Sequence, residues 1–322
     1  MKAIQILKNG GPEVLELREL PRPAPAEGEV LVRLRAIGVN FIDTYQRTGL
    51  YPVKLPYVPG MEGSGTVEQV GTGVSALKAG DRIAYTNIPG AYAEYSVIPA
   101  GRAVILPDNL DFRQGAAAML QGMTAHYLAT STFPLKKGDV CLIHAAAGGV
   151  GLLLVQIARM RGARILATVS TKEKAVLARE AGADHVILYT EKNFEDEVKS
   201  LTEGRGVDVV YDSVGKTTFE KGLNCLRPLG TMVVFGQSSG KMEPIDPAVL
   251  GAKGSLFLTR PILGHYIADR KSLLFRSGDI LGWAAAGQLK LSIGQTCALS
   301  EAAEAHRNLE GRKTTGKVLL IP

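Results

Sequence analysis

Three glycines in the segment Ala145-Ala146-Ala147-Gly148-Gly149-Val150-Gly151 follow the apolar run Val140-Cys141-Leu142-Ile143-His144 and open a helix-forming stretch. A turn of this kind can hold a pyrophosphate. Lacking a Cβ, Gly148 lets the backbone approach the anion, Gly151 lets the helix lie close to its strand, and the helix N-terminus offers amide donors. The pattern is a dinucleotide fingerprint with Ala146 in place of the first glycine. Taken alone, a tight turn in an Ala/Gly-rich segment would look the same; the elements around it decide.

The next strand end selects the cofactor. An NAD site places a carboxylate about twenty residues after the glycines to bind the ribose hydroxyls. Here the sequence runs Val169-Ser170-Thr171-Lys172-Glu173-Lys174, with no acid at the strand end. Ser170 or Thr171 can bond a phosphate oxygen, and Lys174 opens the following helix, where its ammonium and the helix dipole both favour a 2′-phosphate. NADPH is therefore expected over NADH, although Lys172 and Lys174 also fit a solvated helix face with Thr171 as its N-cap. Other strand ends carry Tyr189, suited to flank an adenine, Asp212-Ser213-Val214-Gly215, and Gly236-Gln237-Ser238-Ser239-Gly240.

The elements that must position these residues change character along the chain. Short alternating segments at 29–36, 63–70, 81–85 and 91–98 predict strands of a compact, partly open β-barrel. Short helices are expected near 42–48 and 111–118, and a separate helical run from 120 to 132. From there, strands at 140–144, 164–169, 184–188, 207–211, 230–235 and 255–258 alternate with helices near 149–161, 172–181, 193–203, 216–226 and 246–252. Six strands joined by helices predict an α/β fold with a doubly wound parallel sheet. The remainder reads as a helix at 270–286, a strand near 289–293, a helix at 300–310 and a strand at 317–321. Since the sheet is complete by about residue 260, this tail is expected to rejoin the first domain. That gives a barrel-like domain of 1–121 and 262–322 and a nucleotide-binding domain of 122–261.

The 322 residues, 46% hydrophobic and 21% charged, suit a globular enzyme and rule out a disordered or coiled-coil chain. Met1 to Gln5 alternates as a strand does, so it does not read as a signal peptide. The net charge of +6 is spread without a basic run, which argues against a nucleic-acid site. Cys141, Cys225 and Cys297 are too far apart for a metal knuckle and are odd in number, so a reducing, cytoplasmic compartment is expected. The five histidines are scattered, and His144, at a strand end, is expected to make a structural hydrogen bond.

Several segments carry a resemblance: Gly38-Val39-Asn40-Phe41-Ile42-Asp43, Gly49-Leu50-Tyr51-Pro52, Pro59-Gly60-Met61-Glu62-Gly63-Ser64-Gly65, His144 to Gly151, and Tyr211 to Gly215. Over essentially its whole length the chain resembles the medium-chain dehydrogenase/reductase superfamily, and within it the zinc-independent quinone oxidoreductase, or zeta-crystallin-like, branch. The resemblance implies a Rossmann domain beside a GroES-like barrel. Zinc relatives have cysteine at the position of Asn40 and histidine at that of Met61, and an amide and a thioether are poor zinc ligands. No zinc is expected. Without a Lewis acid, reduction of an electron-poor acceptor is favoured over alcohol oxidation.

The resemblance places Asn40, Tyr45 and Tyr51 at the nicotinamide and acceptor pocket, as catalytic residues, although a buried barrel network also suits Tyr45. Asn40, Thr124, Gly148, Gly149, Val150, Ser170, Lys174, Tyr189, Ser213, Phe235, Gly236, Ser238 and Arg312 are expected to bind NADPH; for Arg260 a salt bridge or dimer contact is expected instead. The expected activity is NADPH:quinone oxidoreduction by a homodimer. An NADPH-dependent enone or alkenal reductase is the rival enzyme, and a non-catalytic NADPH-binding structural or RNA-binding protein the rival of another class.

Overall fold

The computed structural model describes all 322 residues. Polar–apolar alternation at the start gives β1 (Lys2–Gln5), paired antiparallel with β2 (Glu16–Glu19). The longest strand, β3 (Glu29–Val39), leads into helix α1 (Phe41–Thr48), which Gly49 ends at φ +81. There follow β4 (Glu62–Val70), β5 (Arg82–Thr86), β6 (Tyr95–Pro99), β7 (Val104–Ile105) and α2 (Phe112–Tyr127). The two helices expected between 111 and 132 are one helix, closed by a π-helical turn at Leu128–Thr132. No proline or other breaker separates Ala118 from Leu120, so nothing stops the helix there.

A regular alternation then begins: β8 (Val140–Ile143), α3 (Gly149–Met160), β9 (Arg164–Val169), α4 (Lys172–Ala181), β10 (His185–Leu188), α5 (Phe194–Leu201) and β11 (Val207–Asp212). After these come α6 (Phe219–Asn224), β12 (Leu226–Val234), α7 (Ala248–Ala252) and β13 (Phe257–Thr259). All six strands are parallel, in the spatial order β10-β9-β8-β11-β12-β13, the doubly wound arrangement that the alternation predicts. Strands buried on both faces read as unbroken apolar runs, as Val140 to Ile143 does. Leu142, Leu166, Val210 and Met232 pack with Phe194, Val198 and Leu223 in one core.

The chain finishes with α8 (Leu263–Tyr266), α9 (Arg270–Ala285), β14 (Ile293–Ala298), α10 (Ala302–Glu310) and β15 (Lys317–Ile321). The strand expected near 289–293 starts only at Ile293, where pairing with β15 becomes available. β15 in turn lies antiparallel to β3, so the last two strands join five from the first third of the chain in one seven-stranded sheet, ordered β14-β15-β3-β4-β5-β7 with β6 also on β3. Met1–Met123 with Tyr266–Pro322 form one unit and Thr124–His265 the other. Ile4, Val32, Ile37, Tyr85, Tyr92, Leu299 and Val318 share the core of the first.

Within the second unit, Gly151 decides how closely α3 meets the turn before it. A Cβ there would stand 2.4 Å from the Ala145 carbonyl oxygen and 2.7 Å from the Ala146 Cα, both backbone atoms with nowhere to retreat. Gly151→Ala should lower unfolding stability by about 1–3 kcal/mol through overpacking. Urea denaturation measures this, and an unchanged midpoint would contradict the close packing.

Candidate active site

Asn40 sits at the junction of β3 and α1, 3% exposed, with the extended backbone of a helix N-cap. Its side-chain amide is fully engaged inside the protein. Nδ2 donates to the Gly38 carbonyl at 3.2 Å and to Glu62 Oε2 at 3.0 Å. Oδ1 accepts from Lys317 Nζ at 2.9 Å and Gln121 Nε2 at 3.2 Å. An ammonium can only donate, so Lys317 dictates which way the amide points. Lys317 also pairs with Glu62, and both side chains are essentially without solvent. The other Glu62 oxygen, Oε1, accepts the Leu120 amide at 2.5 Å. Asn40 is thus the hub of a buried polar cluster, and a ligand would have to take over one of four existing bonds.

Tyr45 and Tyr51, expected beside it, do come together. Their rings meet edge-on with centroids 5.3 Å apart, and the Tyr51 amide donates to the Tyr45 carbonyl at 3.0 Å. Phe41, one helical turn before Tyr45, extends the group at 6.1 Å. The three half-buried rings offer a surface on which a flat ring could stack. Phe41 escaped the sequence reading although its i, i+4 spacing to Tyr45 signals a shared helix face. Met61 lies buried with its sulfur 3.7 Å from Gln46 Nε2.

Beneath this cluster a second network extends that sequence reasoning missed. Asp43 Oδ2 accepts the Asn40 backbone amide at 2.9 Å and the Tyr92 hydroxyl at 3.0 Å. The Tyr92 oxygen lies 2.9 Å from His306 Nε2, and His306 Nδ1 lies 3.0 Å from Arg47 NH1. Arg47 forks onto Glu310 at 2.7 and 3.0 Å and donates to the Gly10 carbonyl. The one available signal was Asn-x-x-Asp at residues 40–43, a helix-start pattern in which the carboxylate of the third helical residue reaches back to the cap.

In the second unit, Gly148 is the N-cap of α3 without a side-chain cap. Gly149, Val150 and Gly151 precede the first intrahelical bond, from the Leu152 amide to the Gly148 carbonyl, so their N–H groups have no acceptor within the helix. Ser170 follows β9, and Thr171 caps α4 by accepting the Lys174 amide at 3.3 Å, which leaves the Lys174 side chain on the first turn. Tyr189 follows β10 and is 38% exposed. Ser213 follows β11, and its carbonyl accepts the Ser238 amide; Phe235 and Gly236 follow β12, where a Cβ on Gly236 would stand 2.6 Å from that same carbonyl oxygen. All of these stand at the carboxyl edge of one sheet. Thr124 lies instead within α2, and Arg312, at φ +58 after α10, belongs to the other unit. Arg260 NH1 is 3.5 Å from the Gly236 carbonyl oxygen. His144 makes its expected hydrogen bond, with Nδ1 2.9 Å from Thr168 Oγ1.

Residues 26–108 match the alcohol dehydrogenase GroES-like domain and residues 149–270 the zinc-binding dehydrogenase domain. Over its whole length the chain is 47% identical to a quinone oxidoreductase of Pseudomonas aeruginosa, covering 99% of that protein. The chain belongs to the quinone oxidoreductase branch of the medium-chain dehydrogenase/reductase superfamily. Among solved structures of this branch, that of Escherichia coli quinone oxidoreductase complexed with NADPH is similar over 100% of both chains, with a TM-score of 0.98 and 45% identity. A 2-haloacrylate reductase of a Burkholderia species is 43% identical over 99% of this chain and 98% of its own. Despite the domain's name, no three His, Cys, Asp or Glu side chains gather at metal-ligand spacing in this member of the branch.

Burial pushes the Asp43 carboxyl from 3.8 up to about 7, against the lowering effects of the Asn40 amide, the Tyr92 hydroxyl and Lys317. Burial, with the Arg47 guanidinium beside it, pushes His306 from 6.5 down to about 3. These shifts act on stability with opposite signs. Between 3.8 and about 7 the folded protein holds a proton on Asp43 that the unfolded chain has lost, so stability falls as pH rises. Between about 3 and 6.5 the unfolded chain holds a proton on His306 that the folded protein lacks, so stability rises with pH. Each slope is about 1.4 kcal/mol per pH unit where it acts fully, and over the shared window they oppose. In urea unfolding of the apoprotein, Asp43→Asn should therefore expose a stability that climbs from pH 4 to 6.5, and His306→Gln one that drops. Profiles parallel to the parent's for both variants would contradict the assignment.

Proposed function

We propose that this protein is an NADPH:quinone oxidoreductase that works without a metal. The observation that carries the reading is the chemistry at the two positions where zinc relatives place their ligands. One is Asn40, its amide saturated and its neighbour an ammonium; the other is Met61, a buried thioether. With no cation free to polarise an alcohol oxygen, the site suits an acceptor that is already electron-poor. Bound NADPH supplies a hydride equivalent. The chain's own residues then orient the reactants and keep water away.

Gly148 lets the backbone approach the pyrophosphate and the amides of Gly149 and Val150 hold it, Ser170 and Lys174 bind the 2′-phosphate, and Tyr189 flanks the adenine. Ser213, Phe235, Gly236 and Ser238 border the rest of the cofactor, with Thr124 and Arg312 as further contacts. Tyr45 and Tyr51 stack on the acceptor ring, and Asn40 keeps the start of α1 in place beside it. Reduced quinone can take its protons from water, so the reading requires no dedicated acid.

The resemblance to a 2-haloacrylate reductase supports a second reading, reduction of an activated carbon–carbon double bond. We further infer a homodimer formed through the edge strand β13, whose Phe257 is 61% exposed, and a cytoplasmic site of action, in keeping with three unpaired cysteines. No helix is long and apolar enough to cross a membrane.

Steady-state rates with NADPH across a panel of quinones and enones test the reading. Quinones should turn over with the higher kcat/KM; turnover of enones alone would replace it with the second reading. In the same assay Lys174→Ala should raise KM for NADPH about tenfold, the loss of one charged phosphate contact, and leave KM for NADH unchanged. Equal losses with both cofactors would remove Lys174 from the phosphate site.

A further inference from the structure

Donor and acceptor chemistry gives the buried network beneath Asn40 a single direction. Arg47 can only donate, so His306 Nδ1 must accept and the ring carries its proton on Nε2. That N–H donates to the Tyr92 oxygen, which frees the Tyr92 hydroxyl hydrogen for Asp43 Oδ2. Asp43 Oδ2 then receives two donors, Tyr92 and the Asn40 backbone amide, while Oδ1 has no partner. No link can be reversed without leaving Arg47 facing another donor.

The links span the fold: Arg47 and Asp43 lie on α1, His306 on α10, and Tyr92 in the segment before β6. Tyr92 is itself fixed, because Gly60, at φ +94, has its Cβ position 2.3 Å from the Tyr92 ring. Its amide donates to the Pro59 carbonyl, and its carbonyl accepts the Ile4 amide. Every member except Glu310 is buried. Buried polar networks of this kind seldom add stability over apolar packing.

We propose that Tyr92 and His306 are positioning residues of the acceptor site: their one-way hydrogen-bond chain holds Asp43 on the Asn40 backbone amide and so fixes the start of the helix that carries Asn40 and Tyr45. The inference rests on the reading of Asn40, Tyr45 and Tyr51 as acceptor residues. The chain holds best when Asp43 is the stronger acceptor, its carboxylate. Protonation weakens both bonds at once. Against the burial of Asp43, the Asn40 amide, the Tyr92 hydroxyl and Lys317 on β15 favour its charge and Glu62 on β4 opposes it, while Tyr57 faces it from a loop and Arg47 faces Tyr92.

Tyr92→Phe removes one donor to Asp43 and stabilises its protonated form. Carbon-13 NMR titration of the Asp43 carboxyl in the apoprotein should show its midpoint moving to higher pH. With quinone as acceptor, kcat/KM should fall about tenfold at neutral pH and its acid limb should shift upward in parallel, as the loss of a transition-state positioning contact requires. NADPH affinity, read by fluorescence titration, should not change. Asp43→Asn can accept both donors through its amide oxygen, and that variant should lose the acid limb altogether. A Tyr92→Phe enzyme that has a lower Tm but the parent's acid limb and acceptor kcat/KM would overturn the proposal, as would an acid limb that persists in Asp43→Asn. A parent enzyme inactive with every quinone would instead sink the activity assigned above, while the apoprotein titration would still decide whether Tyr92 governs Asp43.

Discussion

The ammonium of Lys317 lies out of water between Glu62 and Asn40, and much of the first unit is arranged to keep it there. A buried charge of this kind is tolerated only when its partners are complete; removing one partner typically costs about 3–5 kcal/mol. Completing the set requires β15, β4 and the β3–α1 junction to converge, which is why the last strand of the chain returns to pair with β3. Gly38 makes room for the convergence, since a Cβ there would stand 2.2 Å from Glu62 Oε2 and 2.7 Å from Lys317 Cε. The pair then sets the Asn40 amide, and Asn40 begins the helix that carries Tyr45.

An internal cation changes what chemistry the site can perform. A Lewis-acidic metal ion activates an alcohol by binding its oxygen and lowering its pKa. The Lys317 ammonium is already neutralised by Glu62 and turned toward Asn40, so it organises the protein and leaves the acceptor to bring its own electrophilicity. That fits a branch whose relatives include quinone oxidoreductases and a 2-haloacrylate reductase, proteins named for acceptors that are electron-poor before they bind.

Much of the fold was legible in the sequence because it rests on local signals. The parallel sheet followed from apolar runs alternating with helices, and Gly182, at φ +112, closes α4 as its place in the sequence suggests. The glycine turn between β8 and α3 was legible for the same reason: its residues are consecutive and lead straight into the helix start. The polar network was not legible. Tyr92 and His306 are 214 positions apart and Arg47 and Glu310 are 263 apart, and each residue alone reads as an ordinary core or surface group. Asn40 showed both limits. Its position was found through resemblance, but its four partners come from residues 38, 62, 121 and 317, and only the folded chain reveals that its amide is already committed. The strand at Ile293–Ala298 was misplaced by a few residues because its boundary is set by β15, a partner more than twenty residues later.

An asparagine committed to an internal lysine and a buried thioether stand at the positions where zinc relatives have metal ligands, so hydride transfer to quinones is independent of metal. The most direct test is the rate of quinone-dependent NADPH oxidation before and after exhaustive dialysis against a strong chelator. The rate should be unchanged, and adding zinc should not raise it. A rate that collapses on chelation and returns with stoichiometric zinc would contradict this independence.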